Sequence, residues 1–428
     1  MMTQKFLSFK LEKTNDEITP RAGLVFFGEF MRSLNFLNDV DRLLPKPGSG
    51  VGYSPSEFID PIILMLQGGG KTLEDLRQIR LDTALQKVLG IEAVPSSDAA
   101  GDWLRRMAEE GRGLKALERL SRLILRRTLN QEAATEYTLD IDATQIIAEK
   151  REAKITYKGE VGYMPIVGHL AENGLIIGEN FRDGNEAPQA GNLEFIKYCV
   201  RQLPSGKCIA AFRSDSAGYQ AAIINYCEEE KILFAIGADL DSAVKNAIKA
   251  IPESEWKEYG GNGHIAATVH SMGGTKKAFR LIVVRRPVQL NLDGKIEETE
   301  RYKAIATNRS GLPEEDLAWY NQRGEASENR IKELKLGFGM ERMPCGTTEA
   351  NAVYFRIGTL AYNLFHIFRD WALPGEWQKH QISTIRWRFF GVAGKVVHHA
   401  GSIFLKVSNW AFELFDDVRT GYKELVWT

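Results

Sequence analysis

From Ala22 to about Asn130 the apolar residues of this chain recur at spacings of three and four, the period of helices packed on one face. Turn-rich stretches, PKPGSGVGYSP (45–55) and VPSSDAA (94–100), divide the helices. Ser54-Pro55-Ser56-Glu57 predicts a helix start with Pro at its first position, and Gly68-Gly69-Gly70 its end. From Ala134 the pattern changes to short strands. In ATEYTLDIDAT, Asp140 and Asp142 share one face. VGYMPIVGHLAENGLIIGENFR (161–182) predicts a hairpin turning at Asn173-Gly174. KCIAAFRSD is a buried strand ending in Asp215, and KILFAIGAD is another strand, with helices predicted in GNLEFIKYCVRQL and AGYQAAIINYCEEE. Hairpin strands followed by alternating strand and helix predict an α/β mixed sheet covered by helices. Strand-rich pieces follow in 239–310, then a helix over Tyr320–Lys335 and an apolar core helix in TTEANAVYFRIGTLAYNLFHIFRDW (347–371). RWRFFGVAGKVVHHAG, in the tail, reads as strand-like or turn-rich.

The helix YNQRGEASENRIKELK departs from a plain amphipathic pattern. At about 100° per residue, Tyr320, Arg323, Glu328 and Lys335 fall on the face that also carries Ile331 and Leu334. Glu325, Asn329, Lys332 and Glu333 fall on the opposite, solvated side. Burying charge is costly unless a partner compensates it, so this face is either a site or a core stripe whose long charged residues snorkel at its edges. Asp142 and Asp215 at two strand ends, with Glu328 from a later helix, form the oxygen-donor set of a two-metal phosphoryl-transfer site. Asp140 reads as a supporting or structural neighbour.

LDIDATQ, RSDSAGY, the spacing Y-x2-R-x4-E-x6-K and AYNLFHIFR (361–369) resemble a DDE transposase of the bacterial insertion-sequence type, in the group known as transposase DDE domain group 1. GGGKTLEDLRQIRLDTALQKVLG and TIRWRFFGVAGKVV also have counterparts there, so the resemblance runs nearly the full length. It implies that Asp142, Asp215 and Glu328 are catalytic and hold two Mg²⁺ ions, for which Mn²⁺ may substitute, and that Tyr320, Arg323 and Lys335 support them or contact DNA phosphates. The better-known signature has three residues between Arg and Glu; here there are four. The implied fold is a ribonuclease-H-like mixed sheet with helices on both faces, a β-rich insertion before the Glu helix, and an N-terminal helical domain. The implied divisions are 1–130 (helical, DNA-binding or dimerising), 131–238 (first part of the core), 239–310 (insertion), 311–372 (second part of the core, with the signature helix) and 373–428 (tail). The implied activity is excision and integration of a mobile element by metal-dependent cleavage and strand transfer. Its partners are double-stranded DNA, as terminal inverted repeats and target, and a second copy in a homodimeric synaptic complex. The alternatives are a nuclease of the same fold without strand transfer, and a non-catalytic DNA-binding descendant.

Composition constrains this reading at one point. The 428 residues carry a formal net charge of −1, whereas DNA-handling proteins are usually basic. A DNA-binding surface must then be local. The candidates are Arg105, Arg106, Arg126 and Arg127 in the basic segment 96–130, and Arg285 and Arg286 in the insertion; the alternative is solvated faces and charged strand edges. The four cysteines form no C-x-x-C pair, which argues against structural zinc or a disulfide framework. Gly70-Lys71-Thr72 is not a phosphate loop, because Met65 stands where a glycine is required. Apolar runs fall short of the roughly 18 residues of a membrane span, and the N-terminus lacks signal-peptide features, so a cytoplasmic location is expected.

Overall fold

The protein is described by a computed structural model over residues 9–48, 52–292 and 295–423, with backbone alone at 288–299, 325 and 326. A short strand β1 (Glu17–Thr19) leads into helices α1 (Ala22–Ser33), α2 (Phe36–Leu43), α3 (Pro55–Gln67), α4 (Leu76–Leu81), α5 (Thr83–Leu89), α6 (Ser97–Ala108) and α7 (Arg112–Gln131). Local chemistry sets the boundaries. Ser54 accepts from the Glu57 amide while Glu57 accepts from the Ser54 amide, a reciprocal cap with Pro55 behind it. Lys71 and Thr72 donate their amides to Asp75, which fixes the turn after α3 as an ordinary connection between helices.

Strand β2 (Glu136–Ala143) comes next, then a small sheet of β3 (Ile146–Ile147), β4 (Lys154–Ile155) and β5 (Val161–Tyr163). After it stand β6 (Ile166–Leu170), β7 (Ile176–Asn180), α8 (Asn192–Gln202), β8 (Cys208–Ser214), α9 (Ala221–Glu229), β9 (Leu233–Gly237) and α10 (Ser242–Lys249). The meander β10 (Lys257–Tyr259), β11 (Gly263–His270), β12 (Phe279–Leu292) and β13 (Lys295–Thr307) precedes helices α11 (Pro313–Lys332) and α12 (Thr348–Trp371). The chain closes with α13 (Ile382–Ile385), hairpin β14 (Gly394–His399) and β15 (Ser402–Lys406), and α14 (Asn409–Lys423).

The large sheet has the order β10-β11-β12-β13-β9-β8-β2-β6-β7. β2 and β8 run parallel, as do β8 and β9, while β6 and β7 are antiparallel neighbours on the other side. The strand-rich segment 257–307 therefore extends the same sheet through β13, which pairs antiparallel with β9. Alternation along β2 sends its residues to two helical layers. Leu139 meets the face where Gly168 leaves room for Cys199 of α8, and Asp140 faces the layer of α11.

Two expectations are corrected. β6 and β7 are joined by Ala171–Leu175, longer than a two-residue turn; Gly174 has φ +79° and the Asn173 side chain accepts from the Leu175 amide. The other concerns the helix after Lys332, which widens into a π turn over Glu333–Gly337, with the Phe338 amide bonded to the Glu333 carbonyl. That widening rotates the side chains of the turn away from their ideal helical positions. Glu333, expected on the solvated side, is 8% exposed, pairs with His366 and accepts from the Ile382 amide at 2.7 Å.

Helix α12 is buried on almost every side and packs against α3, α6, α7 and β7, as expected for a helix that is apolar all round. Its Asn363 both donates to and accepts from the Ile176 backbone, supplying hydrogen bonds that edge strand β7 lacks. The tail folds back on the start of the chain: β14 pairs with β1, and α14 packs on α1. Among the described residues no helix is long and apolar enough to cross a membrane.

Beneath α11, Arg213 of β8 makes a two-pronged pair with Asp140 of β2 at 2.7 and 2.8 Å, with the two side chains at most 2% exposed. Removing one partner of such a pair strands the other charge, so Arg213→Met alone is expected to lower unfolding stability by roughly 3–5 kcal/mol. Urea titration checks this, and Asp140→Leu added to Arg213→Met should recover much of the loss.

Candidate active site

The parallel pairing of β2 and β8 sets Ile141 opposite Ser214, so Asp142 and Asp215 emerge side by side where the two strands end. Asp215 is held by its turn: Oδ1 accepts from the Ala217 amide at 3.1 Å, and Oδ2 points towards α11. Helix α11 crosses these ends, in contact with β2, β8 and β9. It is tied down by Arg213, whose Nη1 donates to the Trp319 carbonyl at 2.7 Å. Asp140 is thus structural, and His169 is buried beside it, 3.8 Å away. Burial, reinforced by Arg330, Arg323 and Arg213, pushes His169 well below the ordinary histidine range and keeps it neutral.

Arg323 lies between the two aspartates. Its Nη2 is 3.9 Å from Asp142 Oδ2 and 3.9 Å from Asp215 Oδ2. Neither contact is a hydrogen bond, and Arg323 Nε is buried without a partner. Asp142 has a side chain only 18% exposed and a pKa raised from 3.8 to about 6. Burial is the largest cause; Arg323 opposes it, while Asp215 and Glu328 add to it by like-charge repulsion. Glu328 and Asp142 line one cleft of about 330 Å³ together with Thr144, Lys332, Lys335 and Glu341.

Of the supporting residues, Tyr320 is 8% exposed, its ring packed with Ile265, Ile282, Val284 and Ile305, so no open ring face is available for DNA to stack on. Its hydroxyl reaches the end of β9 because residue 237 is glycine: a Cβ there would stand 2.9 Å from it. Lys335, in the π turn, donates to the Gln145 carbonyl at 2.7 Å, and burial holds its pKa below the usual lysine range. Sequence reasoning missed Lys303 of β13. Its Nζ lies 5.3 Å from the Tyr320 ring centre, and burial, Arg323 and Arg286 lower its pKa while Glu328 opposes them. No motif contains it, and only the pairing of β13 with β12, near Arg286, brings it to the site.

Three of the six arginines named as DNA candidates serve the fold instead. Arg126 donates to the carbonyls of Arg201, Gln202 and Leu203, closing the end of α8. Arg127 pairs with buried Asp39, and Arg285 pairs with Glu253 and stacks on Trp256 at 4.3 Å. Arg105 pairs with Asp102 on an open surface, Arg106 lines a groove with Lys46 and Arg112, and Arg286 is exposed.

Among comparisons with known proteins, the model of transposase DDE domain group 1 matches residues 4–415. The chain belongs to this family. It is a DDE transposase, an enzyme that cuts DNA and transfers strands, and such transposases use divalent metal ions. No curated protein matches it. A solved structure of a piggyBac transposase synaptic complex with hairpin DNA is similar, at 11% identity and a TM-score of 0.47, over 88% of this chain and 82% of that one. In this transposase the donor chemistry at the strand ends suits a hard divalent ion, since Asp142 Oδ2 and Asp215 Oδ2 face a guanidinium 3.9 Å away without a hydrogen bond to it. Among the described residues, however, no three His, Cys, Asp or Glu side chains are gathered into a ready metal cluster. The three acids expected to hold two ions are thus not drawn together, and Arg323 supplies the positive charge between two of them.

The raised pKa of Asp142 makes its charge a cost to the metal-free fold. The stability this group contributes is complete below about pH 4 and is lost as pH rises through about 6. Asp142→Asn is therefore expected to unfold at higher urea than wild type at pH 8 in EDTA, by roughly 1–3 kcal/mol, with the gap shrinking towards pH 4. A gap of the same size at both pH values would rule this account out.

Proposed function

We propose that this transposase excises and integrates its own insertion sequence by cutting the terminal inverted repeats, with Asp142, Asp215 and Glu328 as the catalytic carboxylates of a ribonuclease-H-like core. The observation that carries the reading is the placement of the three acids, two at adjacent parallel strand ends and one on the helix crossing them, near enough that Asp215 and Glu328 add to the burial that lifts Asp142 to about 6. The order β7-β6-β2-β8-β9, with an antiparallel pair beside three parallel strands, supports the fold assignment.

In this reading Asp142, Asp215 and Glu328 hold two divalent ions, Mg²⁺ or Mn²⁺. When bound, the ions lower the pKa of the attacking water or 3′-hydroxyl and stabilise the leaving oxygen. The chain itself supplies position and charge. Arg323, standing between the aspartates, would be free to meet a phosphate if metal ions neutralised them, and Lys335 and Lys303 flank the acids with further positive charge. Tyr320 acts from beneath, fixing α11 against the sheet. Exposed Arg105, Arg106 and Arg286 hold more distant duplex, and cleavage at two ends takes place in a homodimer.

A labelled duplex carrying the native element end, incubated with Mg²⁺, is expected to be nicked at the end by wild type. Glu328→Ala should slow this by roughly a thousandfold, the several kcal/mol that metal-held charge contributes. Binding without cutting in both Mg²⁺ and Mn²⁺, with partner DNA supplied, would favour a non-catalytic DNA-binding protein. In a parallel experiment, either ion is expected to raise the melting temperature of wild type and to leave that of Asp142→Asn unchanged.

A further inference from the structure

Beside the acids stands the small sheet β3-β5-β4, inserted between β2 and β6. Its tip is a tight turn in which the Gly159 amide bonds the Thr156 carbonyl, with Gly159 at φ +87°, and the turn presents Tyr157 and Lys158 outward. Tyr157 is 62% exposed. Lys158 Nζ lies 5.5 Å from its ring centre.

These residues line a groove of about 570 Å³ with Thr144, Gln145, Ile147, Lys335 and Arg342. The groove shares Ala143, Thr144, Lys335 and Glu341 with the cleft that holds Asp142 and Glu328, so the two adjoin. Lys158, Lys335 and Arg342 give it three cations against the single carboxylate of Glu341. Lys158 is near enough to Lys335 to help hold that lysine's pKa down.

The tip is also fixed relative to the acids. Gln145 donates its side-chain Nε2 to Thr156 Oγ1 at 2.7 Å and accepts from Lys335 Nζ at its carbonyl at 2.7 Å. One residue, three positions past Asp142, thereby joins the turn to the helix that carries Glu328. An open aromatic face among cations, anchored next to phosphoryl-transfer residues, has the makings of a stacking platform for a nucleobase whose backbone the cations hold.

We propose that this groove receives the DNA strand adjoining the scissile phosphate, with an unpaired base of the element end stacked on Tyr157 and its phosphates met by Lys158 and Arg342. The inference rests on the reading of the acid site given above. Charge complementarity selects a polyanionic occupant, and the exposed ring selects an unpaired base over continuous duplex, whose base faces are already stacked.

Full-length protein is mixed with native-end duplexes carrying 2-aminopurine at successive positions around the cut. Wild type is expected to change the emission sharply at one or two adjacent positions. Tyr157→Ala should abolish that change and weaken binding of a frayed end roughly tenfold, while Tyr157→Trp preserves both. Lys158→Ala should weaken binding and flatten its dependence on salt. If wild type binds and cuts the end while Tyr157→Ala matches it in affinity and in emission at every position, the stacking role is overturned and the acid site stands. If wild type neither binds nor cuts the end, both readings fall together.

Discussion

The site depends first on a buried ion pair that takes no part in chemistry. Arg213 joins Asp140 across the parallel strands β2 and β8 and reaches up to the Trp319 carbonyl of α11. A guanidinium can do this because its planar fork serves a carboxylate on two donors and leaves a third donor for a second partner. The pair fixes the relative height of the two strands and the seat of the helix above them. Asp142, Asp215 and Glu328 each lie a short distance along the chain from one of those anchored points. Their convergence follows from it.

On that frame the functional charges are held at a cost to the fold. Asp142 is largely buried beside two other carboxylates, and a buried cation with an unbonded Nε stands among them. Such arrangements recur where binding or chemistry requires charge that folding alone would not select. The surroundings are correspondingly rigid. Gln145 ties Lys335 to the neighbouring turn, and His366 and the Ile382 amide hold Glu333 just before it.

Much of this was legible because it is written in local chemistry. The Ser54 cap, the helical period up to α7, the strand leading to Asp215 and the strongly apolar α12 all show in neighbouring residues, and the fold follows them. The acids could be named from short motifs; the structure sets Asp142 and Asp215 side by side at two strand ends, with Glu328 lining the same cleft as Asp142. Other features were set by distant partners. Glu333 lay on the wrong side of a helical projection because the helix widens after Lys332, and the partners that bury it come from α12 and the start of α13. Arg126, Arg127 and Arg285 looked like free cations in sequence, yet an α8 terminus, Asp39 and Glu253 claim them. Lys303 was invisible for the opposite reason, since a strand pairing places it by Tyr320 and Arg286. The continuation of the sheet through β13 likewise depends on a pairing with β9 that no local pattern announces.

The return of the tail to the head of the chain bears on how the molecule is made. β1, near the N-terminus, pairs with β14, and α14 packs on α1 beside α5 and α2. Helix α12, against which α3, α6 and α7 pack, emerges from the ribosome long after them. The N-terminal helices also pack on one another, but the faces that meet α12 stay uncovered until it has been made, and such long-range closure is slow. A nascent or truncated chain would contain Asp142 and Asp215 but not the finished scaffold. Asp142 and Asp215 thus meet Glu328 only once the chain has been made through α11.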